Sequence, residues 1–525
     1  MTSKIDEHVK KGSLSRREFL GYTSALGAAG VLGLGLPNRV AFGSPKRGGT
    51  LRLGVRGGST TDSMDPLTTL DNVQVILCWA TYNNLVELNG KGEAIPELAE
   101  SWEAEPGAKV WYFNLRTDAE FHNGKDLDAD DVIYSLNRHR GPDTKSGSAG
   151  LMTSITDIKK TSKHQIRVEL SGGNADLPYV FSAFHLCITP ADYDDWANPI
   201  GTGAYRMVSY EAGVQASGER NPNYWKAGRA HVDDYVVTTI NDNTARLNAL
   251  RSGAVDIITN VPSRLAGKLD NVADINVVRS PGPQHYTMPM DIRADPYSDI
   301  HVRQALKYSM DREKVLKQIA SGYGSLGNDS PIGPADPFYN HELPIRPYDP
   351  DKARWHLKQS GMDSLTVDLS TSPAAGPGGP DLAVLFQESA KAAGITVNVV
   401  TEPADGYWAN VWLKKPFMTS FWNGRETTDM MLTLGYSAES SWNETHWNHP
   451  DFEAKLAEAR ALLDFDKRRE IYWDLQRIVS DEGATVIPIF NDFLDGFSTK
   501  IGGGLPDAAR STVGARPIER CWLES

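Results

Sequence analysis

Several short runs along the chain alternate apolar and polar residues with a period of two. Arg47-Gly48-Gly49-Thr50-Leu51-Arg52-Leu53-Gly54-Val55, Trp111-Tyr112-Phe113-Asn114-Leu115, Ile166-Arg167-Val168-Glu169-Leu170 and Thr366-Val367-Asp368-Leu369 follow this pattern. It predicts β-strands with one face on a core. Residues 235–240, 255–258, 395–400, 418–422 and 486–490 read as further strands. Between them the apolar spacing changes to three and four, which predicts helices over 73–88, 244–252, 300–320, 381–393, 451–463 and 466–480. Asp128 is expected to cap a helix with acid in its first turn, and Asp349-Pro350 to start another that Gly361 ends. Pro281-Gly282-Pro283 and the Pro/Gly run over 373–380 are expected to break regular structure. Strands alternating with helices over the whole length predict an α/β fold.

The first 43 residues follow another pattern. Ser13-Leu14-Ser15-Arg16-Arg17-Glu18-Phe19-Leu20 resembles the twin-arginine export consensus. A weakly apolar stretch rich in Gly and Ala follows over 22–36, and Ala41-Phe42-Gly43 closes it with small residues. Residues 1–43 are therefore expected to be a signal peptide cleaved near Gly43. No cysteine stands there, so no lipid anchor is expected, and the mature protein is expected to be soluble and periplasmic.

Composition narrows the function. Of 525 residues, 40 % are hydrophobic and 23 % charged, an ordinary globular balance long enough for several domains. The net charge of −13 argues against nucleic acid as a partner, because phosphate binding needs a basic face. Three cysteines exclude a disulfide framework. Cys78, Cys187 and Cys521 leave open one bridged pair or single buried thiols.

Candidate chemistry is sparse. Gly322-x-Gly324-x-x-Gly327 fits a dinucleotide fingerprint as a string but follows a helix, so it reads as a loop. Asp126-x-Asp128-x-Asp130 lacks the Gly and Glu of a calcium loop and reads as a helix start. His446-x-x-His449 has no framing Cys or carboxylate pattern and reads as a solvated loop. No hydrolase, zinc-protease or P-loop motif is present, and no cofactor or metal is expected. The aromatics are more informative. Trp408, Trp412, Trp422, Trp442 and Trp447, with Tyr407 and Phe421, are each expected in the core taken singly, but together they crowd a polar, Gly-containing segment, as residues around a polar ligand do. Arg425 follows the expected strand 418–422, at a strand end suited to forking onto a carboxylate; the alternative is a surface Arg paired with Glu426 or Asp429.

In order, these segments resemble a family. They include Phe113-Asn114-Leu115-Arg116, Phe121-His122-Asn123-Gly124-Lys125, Ala129-Asp130-Asp131-Val132 and Asn198-Pro199-Ile200-Gly201-Thr202-Gly203-Ala204-Tyr205. Arg220-Asn221-Pro222-Asn223-Tyr224-Trp225, Val302-Arg303-Gln304-Ala305-Leu306 and Met310-Asp311-Arg312 complete the set. Nearly the whole mature chain is similar to the bacterial extracellular solute-binding proteins of family 5, the dipeptide, oligopeptide and nickel class serving ABC importers. The resemblance implies a two-lobed α/β periplasmic binding fold that closes on a buried ligand. Lobe one would be 44–283 plus 488–525, with an extra subdomain near 90–190, and lobe two 284–487. Gly201-Thr202-Gly203 is expected to be a fold-determining turn.

One departure bears on the ligand. Peptide binders of this class carry an Asp shortly after Trp-x-Gly that pairs with the peptide ammonium. Here Trp422-Asn423-Gly424 is followed by Arg425. An Arg facing an ammonium there would suffer like-charge repulsion and desolvation. The expectation is a non-catalytic, monomeric binding protein that hands a small polar solute, a carboxylate-bearing zwitterion or modified peptide-like compound, to inner-membrane permease subunits. Arg425 would clamp the carboxylate, and Trp422 would stack on the ligand or wall the site. Asp429 would supply a displaced ammonium anchor or neutralise Arg425. Tyr286, Asn72 and Trp408 would contribute to the site. The alternatives are a conventional di- or oligopeptide binder, a nickel or metal-chelate binder and, more remotely, a secreted enzyme.

Overall fold

A computed structural model describes residues 44–69, 71–376, 378–507 and 510–524. The twin-arginine motif and the cleavage position near Gly43 lie outside the described residues. No described helix is long and apolar enough to cross a membrane.

The central feature is a 10-stranded sheet. Thr50–Val55 lies parallel to both Asp234–Thr239 and Ile257–Ile258, and its Leu51, Leu53 and Val55 are wholly buried, as the alternation requires. Gln215–Arg220 and Tyr205–Glu211 extend one side as antiparallel strands. On the other side Ile257–Ile258 pairs with Ile489–Ser498, which pairs with Ile275–Pro289, which pairs with Ser420–Trp422. A separate four-stranded sheet of Ala99–Ala104, Val110–Leu115, Gln165–Leu170 and Ile155–Ser162 has its own core around Phe113, Phe121 and Phe181.

Two strands run from one group of cores to another. Ile275–Pro289 contributes Ile275 at one end and Tyr286 and Met288 at the other. Ile489–Ser498 likewise has Ile489 in the core of Met288 and Leu306, and Phe497 in the core of Leu51 and Tyr235. These crossing strands join the two lobes. The break expected at Pro281-Gly282-Pro283 is absent. The strand continues through it because the register shifts between Ser280 and Gln284, and this irregularity takes up the prolines, which cannot donate to a ladder.

Three further expectations are corrected. The helix expected over 73–88 is Asn72–Thr81, and Val86–Leu88 is a strand. Gly201 and Gly203 pack on the helix end: a Cβ would lie 2.0 Å from the Thr81 carbonyl oxygen at Gly201 and 2.4 Å from the Thr81 carbonyl carbon at Gly203. The Gly203 N–H donates to that oxygen at 2.9 Å, so this turn shapes the fold. The helix expected over 300–320 is two, Ile300–Tyr308 and Arg312–Gln318, because Asp311 caps the second through the Lys314 N–H. Gly324–Leu326, read as loop, is a short strand on Ile489–Ser498. Asp128 caps Ala129–Asn137 in a capping box with Asp131, as its position suggested.

Candidate ligand-binding site

A cavity of about 420 Å³ lies beside the crossing strands, which present Pro283, Gln284 and Phe493 to it. One wall comes from the start of Asn72–Thr81, from Asn260 and from the C-terminal segment at Arg510 and Ser511. The opposite wall comes from the loop at 335–337 and from 423–426, just past Ser420–Trp422. Gly424 lets that loop touch the crossing strand, since a Cβ there would meet Pro283 Cγ at 2.1 Å. Gln284 Nε2 donates to Asn423 Oδ1 at 2.8 Å and ties loop to strand.

Arg425 lines the cavity, its guanidinium 5.0 Å from the Trp422 ring centroid and 5.9 Å from that of Trp442. Its Nη1 donates to the carbonyls of Asn423 at 3.0 Å and Gly424 at 3.1 Å. Among the described residues, Nε and Nη2 meet no acceptor, which leaves the edge that forks onto a carboxylate unused. Burial lowers the pKa of Arg425, and the neighbouring Glu426 opposes that shift.

Asp336 is the acidic counterpart. Its Oδ1 accepts from Thr428 Oγ1 at 2.6 Å and from the Phe338 N–H at 2.8 Å. Among the described residues Oδ2 accepts nothing. Burial pushes the carboxyl up to about 6. The cavity thus offers a guanidinium edge and a carboxylate oxygen, one for each end of a zwitterion. Asn72, also lining it, donates through Nδ2 to Asn260 Oδ1 at 3.0 Å.

Of the residues singled out from sequence, Arg425 and Asn72 line the cavity; the other four stand outside its lining. Trp422 is buried behind Arg425, and its Nε1 donates to Glu444 Oε2 at 3.0 Å. Glu444 also accepts from Trp412 Nε1 at 2.6 Å. Trp408 is 44 % exposed and joins an edge-to-face series with Trp412, Trp442 and Trp422. Tyr286 is buried on the crossing strand opposite Phe421. Asp429 pairs with Arg460 at 3.0 Å, which leaves it neither beside Arg425 nor open to an ammonium. His449 caps Pro450–Ala461 through the Phe452 N–H and contacts Glu482, while His446 lies 3.5 Å from Asp291. Sequence reasoning missed Asp336, Asn260 and Arg510, which sit in unrelated loops without a local motif.

Two lobes joined by crossing strands around a polar cavity define a solute-binding class of protein. Residues 93–464 match the bacterial extracellular solute-binding proteins, family 5 Middle, and the chain belongs to that family. It is 26 % identical over 449 residues to Heme-binding protein A of Haemophilus influenzae, covering 78 % of this chain and 81 % of that one. It is 26 % identical over 451 residues to the Dipeptide-binding protein of Escherichia coli, covering 77 % and 83 %. The structure of HbpA2 from Haemophilus parasuis shares the fold, with a TM-score of 0.82 over 90 % of this chain and 100 % of that one at 20 % identity.

Proposed function

We propose that this protein is exported by the twin-arginine route, cleaved near Gly43, and captures a small solute in the periplasm for an ABC importer. The ligand is a carboxylate-bearing zwitterion or a modified peptide-like compound, bound and released without turnover. Lobe one is 44–283 plus 488–525, with its subdomain at 90–190, and lobe two is 284–487. The grouping of the cores along the chain supports that division except at Ile489, which packs in the lobe-two core of Met288 and Leu306. Arg425 holds the ligand carboxylate, Trp422 holds Arg425 in place, and Asn72 contributes from the facing wall.

The observation that carries this reading is the unused Nε/Nη2 edge of Arg425, held over Trp422 in a residue that lines the cavity. Asp336 Oδ2 supports it as the acceptor for a ligand cation. Mass spectrometry of small molecules released on unfolding protein purified from its host tests it. A released compound with both an acid and an amine is expected; a compound with no acid group, or a metal complex, would overturn it.

A second reading, di- or oligopeptide binding, is favoured by the name of the Escherichia coli relative. It requires Asp336 or another acid to replace the missing ammonium anchor. Dipeptides would then be the released compounds.

A further inference from the structure

Arg510 shares the cavity with Arg425 but belongs to the opposite wall. Its guanidinium sits 4.8 Å from the Phe184 ring centroid and 5.6 Å from that of Trp79. Both rings pack in the core of Leu51 and Tyr235, so Arg510 is fixed to that lobe. Arg425 is fixed to the other by Trp422, which packs with Leu432 and Tyr472. Glu426, next in sequence to Arg425, faces Arg510.

Glu426 reaches across to Arg510, its Oε1 accepting from Nη2 at 3.4 Å. That is longer than the 2.7–2.9 Å typical of a charge-assisted hydrogen bond. Among the described residues it is the one hydrogen bond that the Arg510 guanidinium makes. Burial lowers the pKa of both arginines, and Glu426 heads the acids that offset the shift for each. One loosely held carboxylate is thus the nearest acid to two partly buried cations, with Asp507 a second acid acting on Arg510. Desolvated charge without full pairing is costly, and an incoming anion relieves that cost.

We propose that Glu426 occupies the place of a ligand acid group, and that a ligand carboxylate displaces it from Arg510 to be gripped by Arg510 and Arg425 from opposite walls. A single acid group then bonds to both lobes at once, and this coupling makes closure depend on the ligand. The selected class is organic acids whose carboxylate reaches this corner. A neutral solute cannot replace Glu426, because it would leave both guanidiniums short of an anion. The inference rests on the Arg425 reading above and adds Arg510 as a specificity-determining residue and Glu426 as an internal competitor.

The test is isothermal titration of the full chain with glutarate, N-acetyl-L-glutamate and the dipeptide Ala-Glu, each beside its amide. Wild type is expected to bind at least one acid and not its amide. Arg510→Gln should weaken that acid by about tenfold or more, the loss of one charge-assisted hydrogen bond. Arg510→Lys should recover part of the loss. Glu426→Gln should tighten the same acid several-fold, a gain that a poorly folded variant cannot give. Equal affinity in wild type and Arg510→Gln, or no gain in Glu426→Gln, overturns the role of this pair and leaves the Arg425 clamp standing. If none of the acids binds wild type, both fall.

Discussion

The guanidinium of Arg425 lies 5.0 Å from the ring centroid of Trp422, and the Trp422 indole is itself fixed by Glu444 at 3.0 Å. A buried acid thus orients an aromatic ring, and the ring positions a cation at the cavity wall. The stacking leaves the guanidinium plane set before any ligand arrives, so less freedom is lost on binding.

Arg425→Ala is expected to lower affinity for a carboxylated ligand roughly tenfold to a hundredfold, from about 1.5–3 kcal/mol of charge-assisted hydrogen bonding. Arg425→Lys should recover little, because an ammonium neither forks onto a carboxylate nor stacks in the same way. Titration calorimetry with the compound released from the native protein measures both. Unchanged affinity in Arg425→Ala would remove the clamp.

Asp336 makes stability depend on pH. Its carboxyl titrates near 3.8 when unfolded and at about 6 in the fold. Between those values the folded state holds the extra proton, so stability falls as pH rises from about 4 to about 6 and stays lowered above. Asp336→Asn keeps an oxygen for Thr428 and Phe338 and removes the titration. The variant should match wild type near pH 4 and gain up to about 3 kcal/mol above pH 6, less what cavity solvent screens. Urea unfolding across that range reads the difference directly. A constant offset at every pH would mean that Asp336 titrates alike in both states.

Gly201→Ala and Gly203→Ala are expected to destabilise the fold by about 1–3 kcal/mol each, since the new Cβ meets the Thr81 carbonyl. Denaturant unfolding checks this. Unchanged midpoints would mean that the turn can move off the helix end.

Cys78, Cys187 and Cys521 are free and buried. Burial pushes the thiols of Cys78 and Cys521 up to about 12 and raises that of Cys187 as well. A thiol reagent should find no reactive group in the native protein and three after unfolding without reductant. A single group after unfolding would show a disulfide.

Local chemistry made much of the fold legible. The alternation of Trp111-Tyr112-Phe113-Asn114-Leu115, the cap at Asp128 and the Asp349-Pro350 start all act within a few residues, and each stands where the sequence put it. Long-range contacts were harder to read. Asn72–Thr81 stops because glycines about 120 residues away pack on its end, as the spacing of Thr81 and Gly203 in the sequence shows. The crossing strand runs through two prolines because its partner tolerates a shifted register. In the cavity, Arg425 announced itself by replacing an acid that the family resemblance led one to expect, and Asn72 was reached through that resemblance alone. Asp336 and Arg510 gave no such sign, because each is an ordinary loop residue until the fold brings the loops together.

The most direct test is a thermal-shift screen of protein unfolded and refolded to strip its ligand, with zwitterionic acids and dipeptides each paired with its amide. A ligand at 100 times its Kd adds about 2.7 kcal/mol, enough to raise the melting temperature visibly. The expected result is a hit among the carboxylated zwitterions that disappears when the carboxylate is amidated and in Arg425→Ala. Hits confined to dipeptides, indifferent to amidation of the carboxylate, would contradict a cavity built around Arg425.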